Sequence, residues 1–174
     1  MKPTLLLFTV VALMAAASPL QKHTLEDAIE KADFVGYVVY EQQSNTPGMP
    51  WIRANEVFKG ALHRFKMQSA EMSMNWTTEY LLVISFKHDE QQGTSVSDIW
   101  YPIKGSDTLT DAELTILDTM PCYSEALKKQ LSNGGCNRVY EIGSEYCGCN
   151  NENYSGLCEM RHQGFLRAKR GVCP

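Results

Sequence analysis

Six cysteines are the residues of this chain whose spacing most restricts their chemistry. All of them lie in the last third of the 174 residues. Thiols at such positions either oxidise in pairs to disulfides or bind zinc as thiolates. Zinc sites favour paired Cys-x2–4-Cys and His spacings, whereas the only close pair here is Cys147-x-Cys149, and His162 completes no second pair. The even count therefore predicts a disulfide framework and no metal. Its members are Cys122, Cys136, Cys147, Cys149, Cys158 and Cys173.

The start of the chain predicts the compartment in which these thiols would oxidise. Met1-Lys2 precedes an apolar run over residues 5–17, which ends in small residues. This pattern is typical of a signal peptide over residues 1–17, cleaved after Ala17. The run is shorter than the roughly 20 residues that span a bilayer, so no membrane insertion is expected. The chain is thus predicted to be secreted or periplasmic, the alternative being a buried N-terminal helix.

Charge and residue spacing argue against several functional classes. The formal net charge is −4, and no basic run or aromatic platform indicates a nucleic-acid partner. The four histidines show no spacing typical of catalysis or of metal binding, and no Ser/His/Asp constellation can be assembled. We therefore expect neither an enzyme nor a cofactor. The sequence does not indicate an oligomeric state.

The cysteine-rich segment is too short to bury a stable core by itself, so cross-links must supply part of its stability. The rest of the chain must provide the main core, and its patterns predict strands between two helices. A helix is expected over residues 24–32 and another from Thr110 to before Pro121. Strands are expected over residues 33–40, 51–58, 64–68, 80–86 and 97–103, with a bulge or bend at Gly36.

Five strands with a helix at each end predict a small closed or half-closed barrel. The predicted fold class is a mainly β N-terminal domain over residues 18–120 followed by a small disulfide-rich α+β module over residues 121–174. The N-terminal part resembles the netrin-like fold, an OB-type barrel, in three stretches: Ala32–Val39, Val57–Gly60 and Glu79–Val83. Netrin-like metalloproteinase inhibitors bind zinc through an N-terminal cysteine. This chain has none near its expected mature start, so that activity is not expected.

The C-terminal part is similar to the Kazal-type serine protease inhibitors, in particular to secreted bacterial Kazal-like modules. The matching residues are Cys147-Gly148-Cys149, Tyr154, Cys158-Glu159, Gly164 and Gly171-Val172-Cys173. Six cysteines alone allow fifteen pairings. The resemblance implies three of these bonds: Cys136–Cys158, Cys147–Cys173 and Cys122–Cys149. It also implies that Tyr154 packs near the bridges, and we expect Leu157 and Phe165 in the same core.

The resemblance further implies a reactive-site loop made of Asn137, Arg138, Val139 and Tyr140. Arg138 would fill the main specificity pocket of the target, with Val139 across the reactive bond. A guanidinium fits a pocket with a buried carboxylate, so the expected partner is a serine endopeptidase of trypsin-like specificity. Ten residues separate Cys136 from Cys147 where the family usually has seven. The alternative is therefore open: a structural module beside a barrel that binds an extracellular partner.

Overall fold

The computed structural model describes residues 23–41, 51–60, 64–66, 77–89, 93–131 and 145–174. These ranges contain nine β-strands, four α-helices and a 3-10 turn at Ser106–Thr108. In chain order they are α1 (Leu25–Lys31), β1 (Phe34–Glu41), β2 (Trp51–Lys59), β3 (Arg64–Lys66), β4 (Tyr80–Asp89), β5 (Gly93–Ile99), β6 (Lys104–Gly105), α2 (Asp111–Thr119), α3 (Glu125–Leu131), β7 (Tyr146–Gly148), β8 (Asn153–Tyr154), α4 (Leu157–His162) and β9 (Ala168–Arg170). No helix among the described residues is long and apolar enough to cross a membrane.

All nine strands belong to one antiparallel sheet. Its main path runs β5-β4-β1-β2-β9-β7-β8, with β3 paired to β2 and β6 paired to β4 beside that path. Each of the eight ladders between these strands is antiparallel. The prediction of a mainly β chain with few helices is confirmed.

β1 is the central strand of the first half of the chain. It pairs with β2 along one edge and with β4 along the other, so that Gly36 lies opposite Val57 and Leu82. The β1–β2 register shifts on both sides of Gly36 and Tyr37, which confirms the predicted irregularity. Such shifts bend a strand and increase its twist. In the order β3-β2-β1-β4-β5 the two outer strands, β3 and β5, also contact each other.

The cysteine-rich segment continues the same sheet. We call residues 121–174 the tail and β1–β5 the N-terminal strands. In the tail, β9 pairs with β2, with Lys169 opposite Glu56 and Ala168 opposite Val57. The first residues of β2 pair instead with β3. One edge of β2 is thus covered by β3 near its start and by the tail near its end, and the sheet crosses the predicted domain boundary at residues 120–121.

The buried residues form two clusters that lie on opposite faces of the N-terminal strands. Successive residues of β4, such as Leu81 and Leu82, belong to different clusters, as the alternation of side chains along a strand requires. The second cluster joins these strands to α1 and α2. The first also contains five residues of the tail: Tyr146, Tyr154, Leu157, Met160 and Ala168. Each large apolar side chain buried there contributes about 1.5–3 kcal/mol.

Both predicted N-terminal helices are present, and the sequence explains their ends. The Thr24 hydroxyl accepts a hydrogen bond from the Asp27 amide at 3.2 Å and so caps the start of α1. The Lys59 ammonium donates to the carbonyl of Ile29, at 2.8 Å, near the end of α1, where carbonyls lack helical partners. α2 begins with a reciprocal capping box between Thr110 and Glu113.

The strand expected over residues 97–103 is wrong in its position. β5 spans Gly93–Ile99, and the next pairing, in β6, begins at Lys104. The Trp100 amide still donates to Val83, at 2.9 Å, but its indole turns to donate to the Ser85 hydroxyl at 2.9 Å. Pro102 then has no amide hydrogen for a ladder. The aromatic residues that suggested a longer strand pack against the second cluster instead.

Candidate functional site

Two disulfides join the elements of the tail. Cys122, which lies between α2 and α3, is bonded to Cys149, and Cys147 in β7 is bonded to Cys173 near the C-terminus. Both are pairings that the Kazal resemblance implied. They close stretches of 27 and 26 residues, for which a chain-entropy estimate gives about 3–4 kcal/mol of stabilisation each.

The predicted reactive-site residues Asn137, Arg138, Val139 and Tyr140 lie outside the described residues, as does Cys136. Cys158 is described and is 2% exposed, within α4. The Cys136–Cys158 bond therefore stays a prediction. What the structure does describe is the part of the tail on either side of residues 132–144.

The residues before this stretch are anchored to the end of α4. The Ser124 amide donates to the Gly164 carbonyl at 2.8 Å, and the Ser124 hydroxyl accepts from the Leu127 amide at 3.2 Å, which caps α3. The Tyr123 ring packs edge-on against Phe165, with centroids 5.5 Å apart. The Cys122 carbonyl accepts from Leu166 at 2.8 Å. α3 is thus held by hydrogen bonds, by ring packing and by a covalent bond.

The residues after this stretch are anchored to β9. The Glu145 carbonyl accepts a hydrogen bond from the Gly171 amide at 2.8 Å. Tyr146 follows it and is fully buried in the first cluster, and Cys147 is then bonded to Cys173. Both ends of residues 132–144 are therefore fixed to one cross-linked unit.

Tyr154 is the aromatic centre of that unit. It is 4% exposed, and its ring lies 6.2 Å from that of Phe165. Its hydroxyl accepts from the Asn150 side-chain amide at 2.8 Å and donates to a Glu152 carboxylate oxygen at 3.2 Å. Burial raises the pKa of the Tyr154 phenol. Tyr154 and Leu157 are in the core as predicted, and Phe165 packs against it.

The glycine of the Cys147-Gly148-Cys149 run is required by the closeness of Tyr154. A Cβ atom on Gly148 would lie 2.7 Å from the Tyr154 ring and 2.6 Å from the Asn150 side-chain oxygen. Any larger residue would push β7 away from the ring that it packs on. The glycine therefore lets β7 approach Tyr154 while the cysteines beside it form their two bonds.

Arg167 is the residue through which the tail meets the rest of the chain most directly. Its guanidinium donates to the Asp118 carbonyl at 2.8 Å and lies 3.9 Å from a Glu56 carboxylate oxygen. It also lies over the Phe58 ring, 5.3 Å from the centroid. Its own carbonyl accepts from the Cys149 amide at 3.1 Å. The sequence did not single out Arg167, because these partners are far from it along the chain.

The electrostatics of this junction are those of half-buried charges. Burial raises the pKa of the Glu56 carboxyl, although Arg167 and Lys169 act in the opposite direction. Burial, followed by the charges of Glu56 and its acidic neighbours, raises the pKa of Tyr37 to about 12. The phenol is therefore neutral in the physiological range and adds no charge to the junction.

A groove of about 620 Å³ lies beside Glu145, where residues 132–144 rejoin the described chain. Its walls are Glu145, Asn153, Tyr154, Ser155, Arg170, Gly171 and Val172. Val172 is the most exposed large hydrophobic residue of the described chain, at 65%. Nothing in this lining forms a nucleophile–base pair. Across the described ranges, no three His, Cys, Asp or Glu side chains are grouped to hold a metal ion.

The described residues of the tail are therefore arranged to support residues 132–144 from both sides. Covalent bonds, a buried tyrosine core and a strand shared with the N-terminal half all contribute. Such an arrangement can hold a backbone segment in place for binding. No protein-family model matches the chain, and no curated protein matches it.

Proposed function

We propose that the protein is a secreted inhibitor of a trypsin-like serine endopeptidase, which it binds like a substrate through Arg138. The observation that carries the proposal is the anchoring of both ends of residues 132–144 to one disulfide-linked unit. α3 and Cys122 hold the preceding end, and the Glu145–Gly171 hydrogen bond with Cys147–Cys173 holds the following end.

The physical reason is the ordering cost of binding. A flexible peptide loses conformational freedom when it enters a protease cleft, and that loss reduces its affinity. A segment with fixed ends loses less, so more of the contact energy appears as affinity. Protease–inhibitor interfaces bury only about 1,600 Å² in total and are among the tightest known. An arginine at the centre of such an interface is a typical anchor residue.

We also propose the fold assignments that this function rests on. The ring order β3-β2-β1-β4-β5, with β3 contacting β5, supports an OB-type barrel for the N-terminal strands. The strands β7, β8 and β9 with α4 and the two bonds support a Kazal-like tail. Two disulfides are compatible with an oxidising, extracytoplasmic compartment. Neither assignment implies an enzymatic activity or a cofactor.

An inhibition titration of the oxidised chain against trypsin-like, chymotrypsin-like and elastase-like proteases tests the proposal. We expect inhibition of the trypsin-like enzyme and a loss of about 2 kcal/mol or more of binding free energy in Arg138→Ala. Arg138→Lys keeps the positive charge and should retain the preference for trypsin-like enzymes. Lys128→Ala, on exposed α3, is the matched control. Trypsin-like activity that is unchanged by micromolar wild-type protein would rule the proposal out.

A second candidate is a binding protein whose barrel engages an extracellular partner and whose tail is only structural. One observation favours it: β9 covers the edge of β2, and five tail residues complete the first cluster, so the tail already has a structural role. Limited digestion with a trypsin-like protease discriminates the two. An inhibitor is cut slowly and only at Arg138–Val139, whereas a structural tail is cut at any exposed lysine or arginine.

A further inference from the structure

The end of residues 132–144 is connected to the N-terminal strands through a single short strand. β9 pairs with β2 on one edge, where Lys169 lies opposite Glu56. On its other edge it pairs with β7, where Arg170 lies opposite Tyr146. The next residue, Gly171, donates to the Glu145 carbonyl at 2.8 Å. The position of Glu145 therefore depends on how firmly β9 is fixed against β2.

Only two residue pairs join β9 to β2, so the strand ladder alone is a weak attachment. Arg167, immediately before β9, strengthens it from three directions. Its guanidinium reaches the end of α2 through the Asp118 carbonyl at 2.8 Å, and the Asp118 carboxylate lies at 3.8 Å. It reaches β2 through Glu56 at 3.9 Å and through the face of Phe58.

The side chain at this position has to be an arginine for geometric reasons. A planar guanidinium can lie over an aromatic ring while its two terminal nitrogens point to different acceptors, which an ammonium cannot do. Arg167 is also tied to the disulfides, because its carbonyl accepts from Cys149, the partner of Cys122. The same residue thus contacts α2, β2 and the cross-linked part of the tail.

We infer that Arg167 is a positioning residue that holds the tail against the N-terminal strands and thereby keeps the end of the inhibitory segment in register. The inference rests on the proposed function. When the protease serine attacks the Arg138 carbonyl, the C–N bond breaks and the Val139 amine leaves. If that amine stays in place, it attacks the acyl-enzyme, which restores the peptide bond and frees the serine. If the amine moves away, water takes its place and yields the Arg138 carboxylate.

Arg167→Ala in the full oxidised chain should therefore change turnover more than initial binding. We expect initial inhibition within a few-fold of wild type. Hydrolysis of the Arg138–Val139 bond should be about tenfold faster, the effect of losing one hydrogen bond to a charged group. Inhibition should then fade on prolonged incubation. Arg167→Lys should not restore the wild-type rate. Arg53→Ala removes the 2.8 Å pair with Glu41 on the part of β2 away from β9, and should behave as wild type.

Mass analysis of the cleaved chains separates the outcomes. A wild type that does not inhibit overturns the proposed function itself. Inhibition by wild type together with wild-type hydrolysis in Arg167→Ala overturns the positioning role and leaves the proposed function standing. Cuts at many lysines and arginines of Arg167→Ala show general loosening of the fold, which also overturns the positioning role. Faster cleavage confined to Arg138–Val139 supports it.

Discussion

At the residue scale, two glutamates of the N-terminal half have carboxyl pKa values that move in opposite directions. Glu113 is 6% exposed and accepts hydrogen bonds from Tyr101, from Lys104 at 2.5 Å and from the Thr110 amide at 2.7 Å. Burial alone would raise the pKa of Glu113, but these donors together lower it to about 2. Glu56 has weaker partners, and there burial raises the pKa. The number of donors decides the sign.

The first prediction concerns Glu113→Gln. The folded pKa of about 2 lies below the reference value of 4.5, so the carboxylate stabilises the fold above pH 4.5, and this contribution is lost as the pH falls towards 2. Removing the charge should cost about 1–3 kcal/mol at pH 7. Because glutamine does not titrate, the difference from wild type should shrink between pH 4.5 and pH 2. Urea unfolding at pH 7, 4 and 3 measures it.

Glu56→Gln is the matched control, with the opposite sign. A carboxyl whose folded pKa is raised opposes folding while it is ionised, and wild type gains stability as the pH falls through that raised value. Glu56→Gln should therefore leave the unfolding free energy at pH 7 unchanged or raise it. Equal losses in both variants at pH 7, or a Glu113→Gln loss that is constant with pH, would contradict this account.

At the element scale, the shape of β1 depends on one residue without a side chain. Gly36 lies between the two register shifts of the β1–β2 ladder. A Cβ atom there would lie 2.6 Å from the Glu56 carbonyl oxygen and 2.7 Å from the Phe34 ring. Both neighbours belong to β1 and β2 themselves, so relief requires the strands to move apart.

Gly36→Ala should therefore lower the unfolding free energy by about 1–3 kcal/mol, the usual cost of overpacking a filled core. The midpoint of denaturant unfolding, compared with that of wild type at the same pH, measures the loss. Val39→Thr, at a half-buried position of the same strand, is the control and should stay within about 0.5–1 kcal/mol of wild type. A neutral Gly36→Ala would mean that β1 and β2 separate at little cost.

The elements that the sequence predicts well are those whose signal is local. β1 and β4 are continuous apolar runs, and α1 and α2 begin at threonines that can cap a helix. β9 was not predicted, because Ala168-Lys169-Arg170 has no apolar alternation. Its hydrogen bonds depend on β2, which lies more than a hundred residues earlier in the chain. Pairing over that separation leaves no trace in a local pattern.

The candidate site could be predicted in its chemistry but not in its supports. The bonds Cys122–Cys149 and Cys147–Cys173 agree with the resemblance, and Tyr154 is in the core as expected. Arg167 was missed, because its partners Asp118 and Glu56 belong to other elements. An arginine without a local acid or a motif looks like a solvated surface residue until the fold brings its partners together.

At the scale of the whole molecule, the tail and the N-terminal strands share structure that two separate domains would not share. The sheet passes from β2 to β9, and Tyr146, Leu157 and Met160 belong to the same cluster as Phe34 and Ile52. Loss of the tail would expose that side of the first cluster and the second half of the β2 edge. We therefore expect the two parts to unfold in one cooperative transition.

Removing the Cys122–Cys149 bond tests this expectation, because all three tryptophans precede the tail and report on the other half of the chain. The double change Cys122→Ser, Cys149→Ser should lower the unfolding free energy by about 3–4 kcal/mol. It should shift the tryptophan fluorescence transition by as much as the loss of hydrogen-exchange protection in β9. Lys87→Ser, exposed on β4, should shift neither. If the β9 amides lose protection while the tryptophan transition stays at its wild-type midpoint, the N-terminal strands are stable without the tail, and Arg167 then joins two independent units.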